Sequence, residues 1–198
     1  MKTLQRYIRE DFKISHKTGT KIHVKNFDEL RYIVIERYNK NEKHVDLRDI
    51  DVSAIHTFVR YNNGYDKKCL FSELKNVETI DITGWNTSNA TDMAYMFYDS
   101  CANEIIGIES LDTEKCRTMR NTFSGNKHLT ELDLSNWTID NVTDIAGMFA
   151  YCDNLEKVKG IDDWDDIISS KGINAEAMTY KSSNLVFPTW HKKYDYML

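Results

Sequence analysis

Residues 80–97 read IDITGWNTSNATDMAYMF, and residues 132–149 read LDLSNWTIDNVTDIAGMF. The two stretches superpose without a gap at an offset of 52 residues, with Trp85 on Trp137, Asn89 on Asn141, Asp92 on Asp144, Met96 on Met148 and Phe97 on Phe149. Half that offset, 26 residues, predicts a degenerate copy between them. It is present as GIESLDTEKCRTMRNTF (107–123), with Leu111 in the tryptophan column, Cys116 beside Ala90 and Val142, and Phe123 in the phenylalanine column. Partial copies flank these, VDLRDIDVSAIHTF (45–58) on one side and VKGIDDWDDI (158–167) on the other. The anchor column is therefore Ile50, Trp85, Leu111, Trp137 and Trp164. Recurrence at one short period is the mark of a repeat architecture, in which no unit buries its own apolar face and stacked units do so together.

Within a unit, apolar residues alternate with polar ones, as in a short half-buried strand. This reading points Val45/Leu47, Ile80/Ile82, Ile106/Ile108 and Leu132/Leu134 inward. After the anchor, Asn89 and Asn141 stand three residues before Asp92 and Asp144, a spacing suited to capping a helical turn. Met93, Met96 and Phe97, with Ile145, Met148 and Phe149, then follow at helical spacing. The expected fold is an α/β repeat solenoid: a leucine-rich-repeat-like, right-handed array of about five 26-residue units, each a short parallel strand plus a short helical turn.

The tandem segments closely resemble the BspA-like leucine-rich repeat family, also described as the mycoplasma-lipoprotein-type surface repeat, whose pattern is L-x-L-S-x-W-D-T-S-N-V-T-D-M-x-x-M-F. The resemblance covers roughly residues 44–190 and includes the closing NLVFPTWHKK. It implies a binding array, found both in surface adhesins and in soluble proteins carried by bacteria and their phages. The opening residues lack an apolar signal core, a lipid-anchor cysteine and a cleavage site. That favours a soluble, cytoplasmic, phage-borne member over a surface adhesin.

The organisation read from the chain is a basic N-terminal segment and capping helix (1–43), the array (44–190) and a C-terminal tail (191–198). In NFDELRYIVIERY (26–38), Asn26 serves as helix cap, Asp28 and Glu29 suit the first turn, and Phe27, Leu30, Ile33, Val34 and Tyr38 share a face. A stacked array needs its ends covered.

Charge is unevenly spread. Residues 1–25 hold seven cations (Lys2, Arg6, Arg9, Lys13, Lys17, Lys21 and Lys25) against two anions, and the other 173 residues hold 19 cations against 29 anions, which is +5 against −10. The four cysteines are widely spaced, with no zinc-type pairing, and read as buried thiols. No run of 18 apolar residues is present, so no membrane span is expected. Motifs for phosphate loops, dinucleotides, zinc hydrolases and nucleophile elbows are absent, so no enzyme, cofactor, metal site or small-molecule substrate is expected.

What remains is binding. Outward strand positions form an acidic, hydroxyl-bearing stripe: Asp46, Thr79, Asp81, Glu131, Asp133 and Ser135, with Gly107 in the third copy. A second acidic group, Asp162, Asp163, Asp165 and Asp166, surrounds Trp164. The leading expectation is a non-catalytic module that binds another protein or a ribonucleoprotein. The alternatives are a phage-encoded, anti-CRISPR-like inhibitor of a bacterial defence nuclease complex, nucleic-acid binding through the basic N-terminus, and a surface adhesin.

Overall fold

The computed structural model describes residues 21–62 and 66–186. Lys2, Arg6, Arg9, Lys13 and Lys17, the Pro188 and Trp190 ending, and the 191–198 tail all lie outside these residues.

The chain starts with β1 (Ile22–His23), which pairs in parallel with β3 (Ile50–Asp51), so the N-terminal segment is joined to the first repeat by backbone hydrogen bonds. Between them α1 (Phe27–Lys40) packs Phe27, Leu30, Ile33 and Val34 into the core. Its start is capped as the sequence suggests. The Asn26 side chain accepts from the Glu29 amide at 3.0 Å, and Glu29 turns back to accept from the Lys25 amide at 2.8 Å. Arg37 on the last turn holds both oxygens of Asp49, at 2.9 and 2.7 Å.

The outward strands form two separate parallel sheets. β2 (His44–Asp46), β6 (Thr79–Asp81) and β7 (Glu104–Ile106) make one, and β8 (Glu131–Asp133) with β9 (Lys157–Lys159) makes the other. A hairpin of β4 (Val59–Asn62) and β5 (Asp66–Cys69) is inserted after the first repeat. A helix, α2 (Trp164–Lys171), is built into the last.

The five anchors are buried in one apolar cluster: Ile50 at 0% exposure, Trp85 4%, Leu111 1%, Trp137 5% and Trp164 3%. The Trp85 Nε1 donates to the Leu47 carbonyl and the Trp137 Nε1 to that of Ile108, each at 3.0 Å. Burying an indole thus leaves no donor without a partner, which is how a tryptophan becomes a core residue rather than a contact residue.

Two expectations are corrected. In the third copy the inward strand residue is Ile105, opposite Ile80, while Ile106 pairs with Asp81 and is 39% exposed. One extra residue separates this strand from its anchor, and left-handed Gly107 (φ 87°) absorbs it, so Gly107 is buried instead of outward. A Cβ there would fall 2.8 Å from the Thr83 Cα. Gly160 (φ 82°) repeats the device in the fifth copy, where a Cβ would collide with the Ser135 backbone. Only glycine meets both demands without strain.

The second correction concerns the segments 93–99, 119–125 and 145–151, which are not helical. They are consecutive turns, broken by left-handed residues at Tyr95, Asp99, Asn121, Gly125, Gly147 and Tyr151. Asp92 does not cap a helix; its Oδ1 accepts from the Ala94 amide two residues on, at 2.8 Å. Asn89 donates sideways to the Ser53 carbonyl of the preceding repeat. Alternate amides also point sideways, with Met93, Tyr95, Phe97 and Asp99 donating to the carbonyls of Thr118, Arg120, Thr122 and Ser124. Met119, Asn121, Phe123 and Gly125 do the same to Asp144, Ala146, Met148 and Ala150. An amide spent on a neighbouring repeat is lost to a helix, so lateral pairing wins over the local spacing signal. Beneath this ladder Phe71, Phe97, Phe123 and Phe149 stack with parallel rings, centroids 5.3, 5.5 and 5.8 Å apart.

Candidate interaction face on the parallel strands

Strand pairing arranges the outward side chains in two rows. One runs His44, Thr79, Glu104 and, on the second sheet, Glu131 and Lys157. The other runs Asp46, Asp81, Ile106, then Asp133 and Lys159. Of the sequence-predicted stripe, Asp46, Thr79 and Asp81 come together on the first sheet and Glu131, Asp133 and Ser135 on the second. No strand pairing joins the two groups.

The face is not uniformly acidic. Arg48 bridges the second row, with Nη2 2.7 Å from Asp46 Oδ2 and Nε 3.3 Å from Asp81 Oδ2. Its side-chain hydrogen bond holds the Asp46 carboxyl below the ordinary carboxylate range and raises its own pKa. On the second sheet Asp133 accepts from the Ser135 hydroxyl at 2.6 Å and its amide at 3.1 Å, with Lys159 at 3.5 Å. The serine contacts lead in lowering the Asp133 pKa. Asp81 likewise accepts from the Thr83 amide at 3.0 Å. These carboxylates therefore also close the turns that follow their strands. Thr79 accepts or donates at 2.8 Å to His44 Nδ1.

The cations were missed by a reading that followed carboxylates alone, although both were visible. Arg48 lies two residues beyond Asp46, hence on the same face, and Lys159 lies 26 residues beyond Asp133, hence in the same column. Along the β8–β9 sheet lies a groove of about 790 Å³ lined by Glu131, Ser135, Glu156, Lys157, Lys159, Asp162 and neighbouring residues.

The acidic group near Trp164 is divided. Asp162 lines the groove, whereas Asp163 is at the α2 N-cap position and Asp165 and Asp166 stand in the first turn. There a carboxylate is favoured by the helix dipole. Asp165 also accepts from the Ser169 hydroxyl at 3.3 Å. Of the basic segment, Lys21 reaches the Gly84 carbonyl at 2.9 Å, and Lys25 begins the α1 cap.

The cysteines are free thiols, three buried and Cys101 partly so. Burial pushes Cys116 up to about 11 and Cys152 up to about 12. A protonated thiol is a poor nucleophile and metal ligand. Among the described residues no group of three or more His, Cys, Asp or Glu could hold a metal ion, and no helix is long and apolar enough to cross a membrane.

Parallel strands in register, a repeated anchor and laterally paired turns define a protein assembled from copies of one short unit. A family model described as "Mycoplasma protein of unknown function, DUF285" matches residues 66–188, and the chain belongs to that family. This agrees with the mycoplasma-type repeat that the tandem segments resemble. No curated protein and no solved structure matches the chain.

Proposed function

We propose that this chain is a short leucine-rich-repeat-like solenoid acting as a non-catalytic binding module, and that it holds another protein along its strand face. The observation that carries the reading is the alternation of fixed charges there. Asp46 and Asp81 on one sheet, and Asp133 beside the groove on the other, are held in place by the backbone turns they close, and Arg48 and Lys159 lie against them. Pre-positioned opposite charges favour orientation and selectivity between partners more than raw affinity. The surplus of carboxylates in residues 26–198 selects for a partner with a basic surface. A defence complex inhibited by a cytoplasmic, phage-borne protein is one such partner within this proposal.

The test uses a partner captured from source-cell lysate, then purified. Its dissociation constant is measured against the wild type and against Glu131→Lys combined with Lys159→Glu. Loss of about tenfold or more is expected, since close interfacial charge pairs couple by about 1.5 kcal/mol or more. An unchanged constant removes the strand face from consideration.

A further inference from the structure

The strand side spends its charges unevenly. On β2 and β6 the outward side chains are satisfied within the chain: His44 bonds Thr79, and Arg48 lies against both Asp46 and Asp81. Along β8 and β9 most are not. Of the charged residues that line the groove, only Lys159 is engaged, by Asp133 at 3.5 Å. The side chains of Glu131, Glu156, Lys157 and Asp162 have no hydrogen bond or ion pair among the described residues. Glu131 and Lys157 are lateral neighbours and offset one another in charge. Two carboxylates are left over. Glu156 precedes β9 and Asp162 follows it, so they flank the strand at its two ends.

Between them the groove is low and apolar. Val158 turns inward, Gly160 has no side chain, and Val186 stands 81% exposed beside them. The low centre is dictated by the close approach of the Gly160 backbone to that of Ser135, which leaves no room for a Cβ. An acidic or phosphate-bearing segment would meet the two carboxylates repulsively. A lone cation would leave Val186 uncovered. An extended segment with cations meets both features, because alternate residues of a strand share a face and the first, third and fifth span about 13 Å. Six residues of chain separate the two carboxylates, at most about 20 Å. Two lysine or arginine stems cover that difference.

We propose that the β8–β9 groove seats an extended segment of a partner protein bearing two cationic side chains four residues apart, with an apolar one midway. The cations meet Glu156 and Asp162, and the apolar side chain covers Val158, Gly160 and Val186. The assignment rests on the strand-face binding proposed for this chain and names what that face takes.

The test is NMR titration of the ¹⁵N-labelled full chain at low salt with two end-blocked peptides, Lys-Thr-Val-Thr-Lys and Glu-Thr-Val-Thr-Glu. The basic peptide should shift the amides of Val158, Gly160 and Asp162 saturably and bind at least about fivefold tighter than the acidic one. Glu156→Gln combined with Asp162→Asn should weaken it by about fivefold. Both side chains are exposed, so the fold is kept. Asp46→Asn, on the first sheet, should leave the affinity unchanged. Equal affinity for the two peptides overturns the proposal, as does indifference to the double variant or a shift pattern centred elsewhere. Failure to take up either peptide, as when residues 187–198 of the same chain fill the groove, overturns it too. Where the peptide fails but the captured partner still responds to Glu131→Lys with Lys159→Glu, the groove assignment falls alone. Where the captured partner is indifferent as well, the strand-face reading falls with it.

Discussion

The two sides of the repeats differ in continuity. On the turn side, lateral bridges join Thr57, Asp92, Thr118, Asp144 and Asn174 in unbroken succession, and four phenylalanines stack below them. On the strand side, the sheet stops after β7 and starts again at β8. Residues are added on the strand side of the anchor, at Gly107 and Gly160, and α2 lengthens the last repeat before its turns begin. Register is kept where rings must stack and is relaxed where short strands need only bury one side chain each. The turn side therefore holds the stack together, and the strand side is open to variation and contact.

The largest test of that contrast is Phe123→Ala against Val158→Ala, followed by urea unfolding. Phe123 is stacked on both faces, and its loss should cost about 3–5 kcal/mol. Val158, at the open strand side, should cost about 1–2 kcal/mol. Equal losses would mean that the strand side carries as much as the turn side. Next comes Gly160→Ala, expected to cost roughly 1–3 kcal/mol from positive φ and collision together. Gly172→Ala has the same φ sign and open space, and should lose only about 1 kcal/mol.

Asn126→Ala probes the buried polar column under the turns. Asn126 donates to the Phe97 and Phe123 carbonyls at 2.7 Å and bonds Ser100, so its removal should cost about 1–3 kcal/mol in thermal unfolding. Cys116 and Cys152 predict an alkaline effect. Each keeps its proton in the fold at a pH where an unfolded thiol, near about 8.5, releases it. Their contribution is complete below that value and falls as pH rises toward about 11 and about 12, by up to about 1.4 kcal/mol per pH unit for each thiol. Melting curves of Cys116→Ala should show a shallower decline than the wild type. Smallest is Asp133→Asn, an exposed pair worth less than about 1 kcal/mol. A greater loss would make the strand-face charges structural.

The tryptophan column, the α1 cap at Asn26 and the buried thiols were legible because each depends on local spacing or residue type. The Ile105 register was not, because it depends on a left-handed glycine that looks, in a linear string, like any outward strand residue. The turns at 93–99 carry helical spacing, and nothing local reveals that their amides serve the next repeat. The strand-face carboxylates were found without Arg48 and Lys159, whose columns were readable from the period. The tyrosine contacts on the turn side were hidden for a different reason. Tyr95 and Tyr151 occupy different positions in their repeats, and Tyr98 shares its position with Tyr180 three repeats on, so pairwise spacing in the sequence does not reveal the ring contacts Tyr95–Tyr98 and Tyr151–Tyr180.

The sideways amides of residues 93–99, 119–125 and 145–151 run one way, from each repeat to the one that follows, whereas those of Thr91, Arg117, Thr143 and Asn174 run back to the preceding one. On the turn side, three successive junctions therefore present the same row of donors to the same row of acceptors. A gene that duplicated or deleted one whole repeat would create a junction already compatible with its neighbours, with no new interface to invent. Length in such a protein can change in whole modules, and a surface assembled from several of them, as the strand face is here, can be widened or dismantled in a single genetic event.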